Sequence, residues 1–128
     1  MIERFQSFSK LEAQKHLNKY TENHKFWKTM GNALLQYNVV LKKDNVKLIM
    51  CDDFYEGVFI PDKNKIMLCA NTLMRKSDFD NAMARQLVFM YDHNRGQGKE
   101  VSYDLNKCKH LACSEVRAAL FTDHCKVQ

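Results

Sequence analysis

Groups with lone pairs or exchangeable protons crowd toward the C-terminal third of this sequence. Asp92, His93, Cys108, His110, Cys113, Glu115, His124 and Cys125 are all potential metal ligands. Cys108-x-His110-x-x-Cys113 has a metal-like look. A structural zinc, however, needs four converging groups, and this spacing fits no standard finger. Cysteines stand at 51, 69, 108, 113 and 125. The odd count leaves at least one thiol free or paired outside the chain. Cys69, in the apolar run Ile66-Met67-Leu68, reads as a small buried hydrophobe. Cys108, Cys113 and Cys125 allow disulfides, and so an oxidising compartment, without requiring either. There is no G-x-S-x-G and no Gly-rich phosphate loop, so nothing marks a serine nucleophile or a nucleotide site.

The framework that must hold these groups is one globular domain. The chain has 128 residues, 45% hydrophobic and 27% charged, too few for two full cores. Only 4 Gly and 1 Pro exclude fibrous and disordered classes. No run approaches the length of apolar sequence that a membrane-spanning helix needs, so no transmembrane segment is expected. Twenty Lys and Arg against fifteen Asp and Glu give +5. Lys42, Lys43, Lys47, Lys63, Lys65, Arg75 and Lys76 are interleaved with Asp44, Asp52, Asp53 and Asp62. That pattern reads as a solvated basic surface, with no nucleic-acid partner expected. The opening MIERFQSFSK lacks the apolar core of a secretory signal, and Glu3, Glu12 and Glu22 do not suit an acid-poor presequence.

Residues 1–24 are polar, with Phe5, Phe8, Leu11, Leu17 and Tyr20 at roughly helical spacing, and read as an N-terminal arm containing helix. Residues 25–128 form the domain proper. Phe26, Trp27, Met30, Ala33, Leu34 and Tyr37 make one helical stripe over 25–38. Residues 39–70 read as strands. Val58 to Ile60 and Ile66 to Cys69 flank Pro61-Asp62-Lys63-Asn64, a hairpin signal. Ser77 is the expected N-cap of the next helix, with Asp80 at the capping-box position. Phe79, Met83, Leu87, Met90, Tyr91 and Asn94 lie along one face, and Gly96 and Gly98 end the helix. A polar loop, 96–107, leads to a last helix over about 108–121.

Helix, hairpin, helix, loop, helix is the layout of a zinc metallopeptidase core, whose main helix carries H-E-x-x-H. The residues resemble the mitochondrial inner-membrane ATP-synthase-processing metallopeptidase family, whose members are also assembly chaperones for the membrane sector of that complex. The last block of that family, H-L-A-C-S-E-[IV]-R-A-A, stands here as His110 to Ala119, with Cys125 in register six residues on. Its edge-strand motif I-x-L-C-x-N is Ile66 to Asn71. Its active-site helix, H-E-L-I-H-A-[FY]-D-x-C-R, becomes Arg85 to Arg95, keeping Leu87, Tyr91, Asp92 and Arg95.

Three changes fall on the chemistry. Arg85 stands at the first ligand position, Phe89 at the second, and Gln86 at the general base. A guanidinium repels a metal cation, a phenyl ring has no lone pair, and a carboxamide cannot take a proton. Phe89 and Met90 read instead as core filler. By resemblance the cysteines form a disulfide set in which Cys51, Cys108, Cys113 and Cys125 pair, and Asn94 replaces a family cysteine. Family members continue well past Cys125, whereas this sequence stops three residues later. That ending implies uncovered apolar surface on the last helix for a partner.

The resemblance therefore implies an α+β fold, a degenerate zincin-like core with a small antiparallel sheet packed by helices. It implies a non-enzyme without cofactor, serving as a structural accessory subunit of ATP synthase or a respiratory complex. The alternatives are a transient assembly chaperone and a metal-dependent enzyme with a rebuilt site. Partners would be protein subunits of a large membrane complex and anionic lipid head groups. The expected place is the periphery of the mitochondrial inner membrane, on the intermembrane-space side.

Overall fold

A computed structural model describes residues 2–52 and 55–96. Within them, α1 (Ile2–Asn23) and α2 (Lys25–Leu35) precede a 3-10 turn (Lys43–Asn45) and β1 (Val46–Ile49). β2 (Gly57–Ile60), a second 3-10 turn (Pro61–Lys63), β3 (Lys65–Cys69) and α3 (Lys76–Gly96) follow.

The two N-terminal helices form because each carries one apolar face. Ser9, Ala13, Leu17 and Tyr20, spaced by four, four and three, are the buried positions of α1. Its contacts run to α2, α3 and β1. The expected stripe of α2 is present, with Trp27, Met30 and Leu34 buried. His24 separates the two helices. Its backbone N–H still donates to the Tyr20 carbonyl at 3.0 Å. Its Nδ1 accepts from the Phe26 N–H at 3.1 Å, satisfying a free donor of α2. At the far end of α2, Asn38 adopts a left-handed φ of 63°. The Val39 N–H then donates to the Leu34 carbonyl at 3.1 Å, and Val39 packs on the core. This is a Schellman closure with Asn in the place of Gly.

The expected hairpin is β2–β3, paired antiparallel with Phe59 opposite Ile66. Its turn closes through Asn64, also left-handed at φ 51°. The sheet as a whole is mixed: β1 joins the other side of β3 in parallel, with Val46 opposite Ile66. Parallel partners cannot be joined by a tight turn, and here β2 lies between β1 and β3 in sequence. The family motif Ile66 to Asn71 therefore runs through the central strand and past its end. Its position in the sheet differs from the edge expected.

That motif grips the chain leaving β1. Cys69 forms a disulfide with Cys51. The Asn71 carboxamide accepts from the Cys51 N–H at 3.0 Å and donates to the Cys51 carbonyl at 2.8 Å. Cys69 is buried as expected, but it is a disulfide partner rather than a free apolar filler. Gly57 is required on β2 because a Cβ there would run into the Met67 carbonyl oxygen.

α3 begins at Lys76, so Ser77 sits in its first turn and is not the cap. The reason lies one turn upstream, where the Arg75 carbonyl accepts from the Phe79 N–H at 3.0 Å and so opens the helix. Asp80 turns to Lys76 and His24 instead of to the backbone. The expected face of α3 is the centre of the core: Phe79, Met83, Leu87 and Met90 are wholly buried against Tyr20, Trp27, Leu34, Phe59 and Ile66. Each such side chain contributes about 1.5–3 kcal/mol by leaving water.

The Cys51–Cys69 bridge closes a loop of sequence separation 18. Replacing both with Ser is expected to lower the unfolding free energy by about 3 kcal/mol through the unfolded chain's regained freedom. Urea denaturation of oxidised wild type against the variant checks this.

Candidate functional site

The candidate site is the stretch of α3 from Arg85 to Arg95 together with the hairpin that packs on it. Helical geometry puts residues 85 and 89 one turn apart on one face, and 86 beside them. Arg85 is a quarter exposed, and its Nε forms an ion pair with Glu56 Oε1 at 3.2 Å. Glu56 is held in place because its carbonyl accepts from the Cys69 N–H at 3.0 Å, just ahead of β2. The guanidinium also lies 5.8 Å from the Phe89 ring centroid. Phe89 is buried in the core, and so is Met90, as expected. Gln86 is only 3% exposed, and its carboxamide oxygen has no hydrogen-bond partner.

The next turn is equally structured. Asp92 is fully buried and pairs with Arg95 at 3.5 Å. Tyr91 packs edge-on against Tyr37 at 5.9 Å, with Arg95 over its ring. Burial, and then the hydrogen bond with Tyr37, holds the Tyr91 hydroxyl above the usual phenol range. The His93 ring lies 5.8 Å from Phe59 of β2. Asn94 donates to Asn64 Oδ1 at 2.7 Å and to the Met90 carbonyl at 2.8 Å. Asn45 donates to the Asn64 carbonyl at 3.1 Å. Asn94 thus ties α3 to the hairpin turn and, through it, to the residue before β1.

These side chains do not fit a zinc ion of the H-E-x-x-H kind. Arg85 brings a positive charge already engaged with Glu56, and Phe89 offers no donor. Among the described residues no three of His, Cys, Asp and Glu converge as a metal site would need. Gln86 is placed to hydrogen-bond a water or a peptide group, but it has no basic oxygen to accept a proton. Cys108, His110, Cys113, Glu115, His124 and Cys125, with the last helix and its apolar surface, lie outside the described residues. Of the expected disulfide cysteines, Cys51 is bridged, and to Cys69.

Two members of the site were missed from sequence. Glu56 had no motif to mark it; the available signal was a lone cation, Arg85, on an otherwise apolar helix face, which calls for an acid nearby. The Asn94–Asn64 bond joins residues that sequence treats separately, one as a cysteine replacement and one as a turn former.

The family model of the peptidase M76 family matches residues 11–128. The mitochondrial inner membrane protease ATP23 of Scheffersomyces stipitis is 35% identical over 88 residues, 69% of this chain and 34% of that protein. The Schizosaccharomyces pombe protein of the same name is 32% identical over 97 residues, 76% of this chain and 49% of its own length. The Meyerozyma guilliermondii protein is 29% identical over 117 residues, 91% of this chain and 45% of its own. The chain thus spans a third to a half of these relatives. No solved structure matches. The expected localisation at the mitochondrial inner membrane stands on these relatives, and no helix among the described residues is long and apolar enough to cross a membrane.

One expectation is overturned. The three changes at Arg85, Gln86 and Phe89 were read as making the chain no enzyme. Its match to a peptidase family, with relatives named as proteases, corrects that reading. The physical reason is that a hydrolytic site is a convergence of several segments, and the inference rested on one helix.

The Arg85–Glu56 pair links α3 to the sheet and is partly shielded from water. In a double-mutant cycle with Arg85→Met and Glu56→Gln, a coupling of about 1 kcal/mol is expected. Denaturant midpoints of the four proteins measure it; strict additivity would show that the pair holds nothing.

Proposed function

Because the chain belongs to the peptidase M76 family, we propose that it works on the protein machinery of the mitochondrial inner membrane. In this reading it is an accessory subunit of ATP synthase or of a respiratory complex, placed on the intermembrane-space side. The observation that carries the reading is the family match across residues 11–128. The Cys51–Cys69 disulfide supports the oxidising side of the membrane. β2, with one strand partner among the described residues and Val58 half-exposed, supports a protein contact at the sheet edge. The formal charge of +5 supports contact with anionic lipid head groups as well.

Native-gel separation of mildly solubilised mitochondria with quantitative mass spectrometry tests this. One-to-one comigration with a mature oxidative-phosphorylation complex is expected. Restriction to small, substoichiometric assemblies overturns the subunit reading in favour of a transient assembly factor.

A second reading, a metal-dependent peptidase with a rebuilt site, is favoured by the names of the relatives and by the partnerless carboxamide oxygen of Gln86. It predicts about one equivalent of zinc in the purified protein and peptide cleavage that a chelator abolishes. Metal-free protein that cleaves nothing would end it.

A further inference from the structure

Between the second half of α1 and the first turns of α3 lies a cleft of about 350 Å³ that the site above does not use. His16, Lys19, Tyr20, Asn23 and His24 line one side, and Lys76 and Asp80 the other. A larger open groove continues from it past Lys25 and Ser77, sharing His24, Lys76 and Asp80.

The cleft is rich in donors and poor in acceptors. His16 Nε2 lies 2.8 Å from the Met74 carbonyl, which can only accept, so that nitrogen carries its proton. His24 Nδ1 accepts from the Phe26 N–H, which puts its proton on Nε2, facing Asp80 at 3.9 Å. Lys76 Nζ stands 3.8 Å from the same Asp80 oxygen. Both distances are ion-pair contacts longer than hydrogen bonds. Tyr20 is 2% exposed, and its hydroxyl has no partner. Burial, then the Asp80 charge, pushes that phenol up, so it remains an O–H donor. Burial raises the Asp80 carboxyl too, against the opposing pull of His24, Lys76 and His16. Asp80 thus faces His24 and Lys76 only at ion-pair distance, the Tyr20 hydroxyl is left without a partner, and the Asn23 carboxamide is the one other side-chain acceptor in the lining. A tetrahedral oxyanion would supply the missing acceptors.

The outer surface of α1 says where that anion comes from. Phe8, Leu11, Lys15 and Lys19, spaced by three, four and four, fall on one stripe. Phe8 and Leu11 are each more than half exposed. Two large apolar side chains followed by lysines are the pattern of a helix lying at a membrane interface.

We propose that the cleft between α1 and α3 binds the phosphate of an anionic phospholipid, with Lys19 and Lys76 as its charge contacts and Phe8 and Leu11 seated at the acyl boundary. The inference rests on the peripheral membrane contact proposed above and assigns it a site.

The test uses the purified full chain and vesicles of phosphatidylcholine with or without phosphatidylglycerol. Co-sedimentation measures lipid binding, and the Tm in inorganic phosphate measures the site alone. Wild type is expected to prefer the anionic vesicles and to gain Tm in phosphate. Lys19→Ala with Lys76→Ala should weaken vesicle binding by roughly tenfold or more, at about fivefold per lysine, and abolish the Tm gain. Tyr20→Phe, which removes only the hydroxyl, should reduce both several-fold. Phe8→Ser with Leu11→Ser should weaken vesicle binding and leave the phosphate response intact. Anionic-vesicle binding that ignores the Lys19, Lys76 and Tyr20 variants overturns the cleft while the membrane contact stands. A phosphate response without vesicle binding keeps the anion site and overturns its lipid source. Neither response overturns both.

Discussion

Phe79, Met83, Leu87 and Met90 recur along α3 at the spacing of one helical face, and all four are shut away from water. Around that face the rest of the described chain is assembled: α1 and α2 cover it with Tyr20, Trp27, Met30 and Leu34, and the sheet closes it with Val46, Phe59, Ile66 and Leu68. The flanks of α3 are then fixed by polar bonds that the burial makes strong. Asn94 fastens the helix to the hairpin turn, Arg85 fastens it to the segment before β2, and Asp80 fastens its first turn to His24. A buried helix held at three points along its length leaves little freedom for the positions between them. That is the constraint within which Arg85, Gln86 and Phe89 sit.

The residues at those positions are mutually consistent. An arginine on a packed helix face would bury a charge at a cost of several kcal/mol were it left alone. Here the charge leans on the Phe89 ring and reaches Glu56, which the β3 backbone holds in position. Phe89 meanwhile fills core volume. Gln86 is the exception, a buried carboxamide with an unsatisfied oxygen. An orphaned acceptor of this kind costs about 1–3 kcal/mol. Packing does not explain it, and on the same helix the buried Asp92 Oδ1 likewise makes no hydrogen bond, its contact being the ion pair with Arg95.

The periodic parts of the fold were legible in the sequence. The stripe of α2, the face of α3 and the Pro61–Asn64 turn are short-range patterns, and each appears where it was expected. What escaped is set by contacts distant in sequence. Strand order follows from how β1 crosses over to β3, which no local pattern encodes. Cys69 looked like apolar filler because its neighbours are apolar; its partner lies eighteen positions away, brought close only by the parallel pairing of β1 with β3. Ser77 looked like a cap because a serine before an apolar run usually is one, but the helix gains a residue by using the Arg75 carbonyl. The chemistry was legible as substitution and misread as outcome: three residue types say what one helix cannot do, and family membership speaks for more of the chain than that helix.

The disulfide, the sheet and the site form a single mechanical chain. Cys69 and Asn71 both hold Cys51, so the same six-residue stretch that pairs with β1 also clamps the segment leaving it. On the other side of the same stretch stands Glu56, whose carbonyl accepts from the Cys69 N–H and whose carboxylate meets Arg85. Reduction of the bridge would therefore be felt first at the helix face that bears the altered site, through a path of three short contacts. The Asn71 bonds to the Cys51 backbone would remain after reduction and limit the excursion. The position of Glu56, and with it the ion-pair partner of Arg85, is thus tied to the Cys69 backbone beside the bridge.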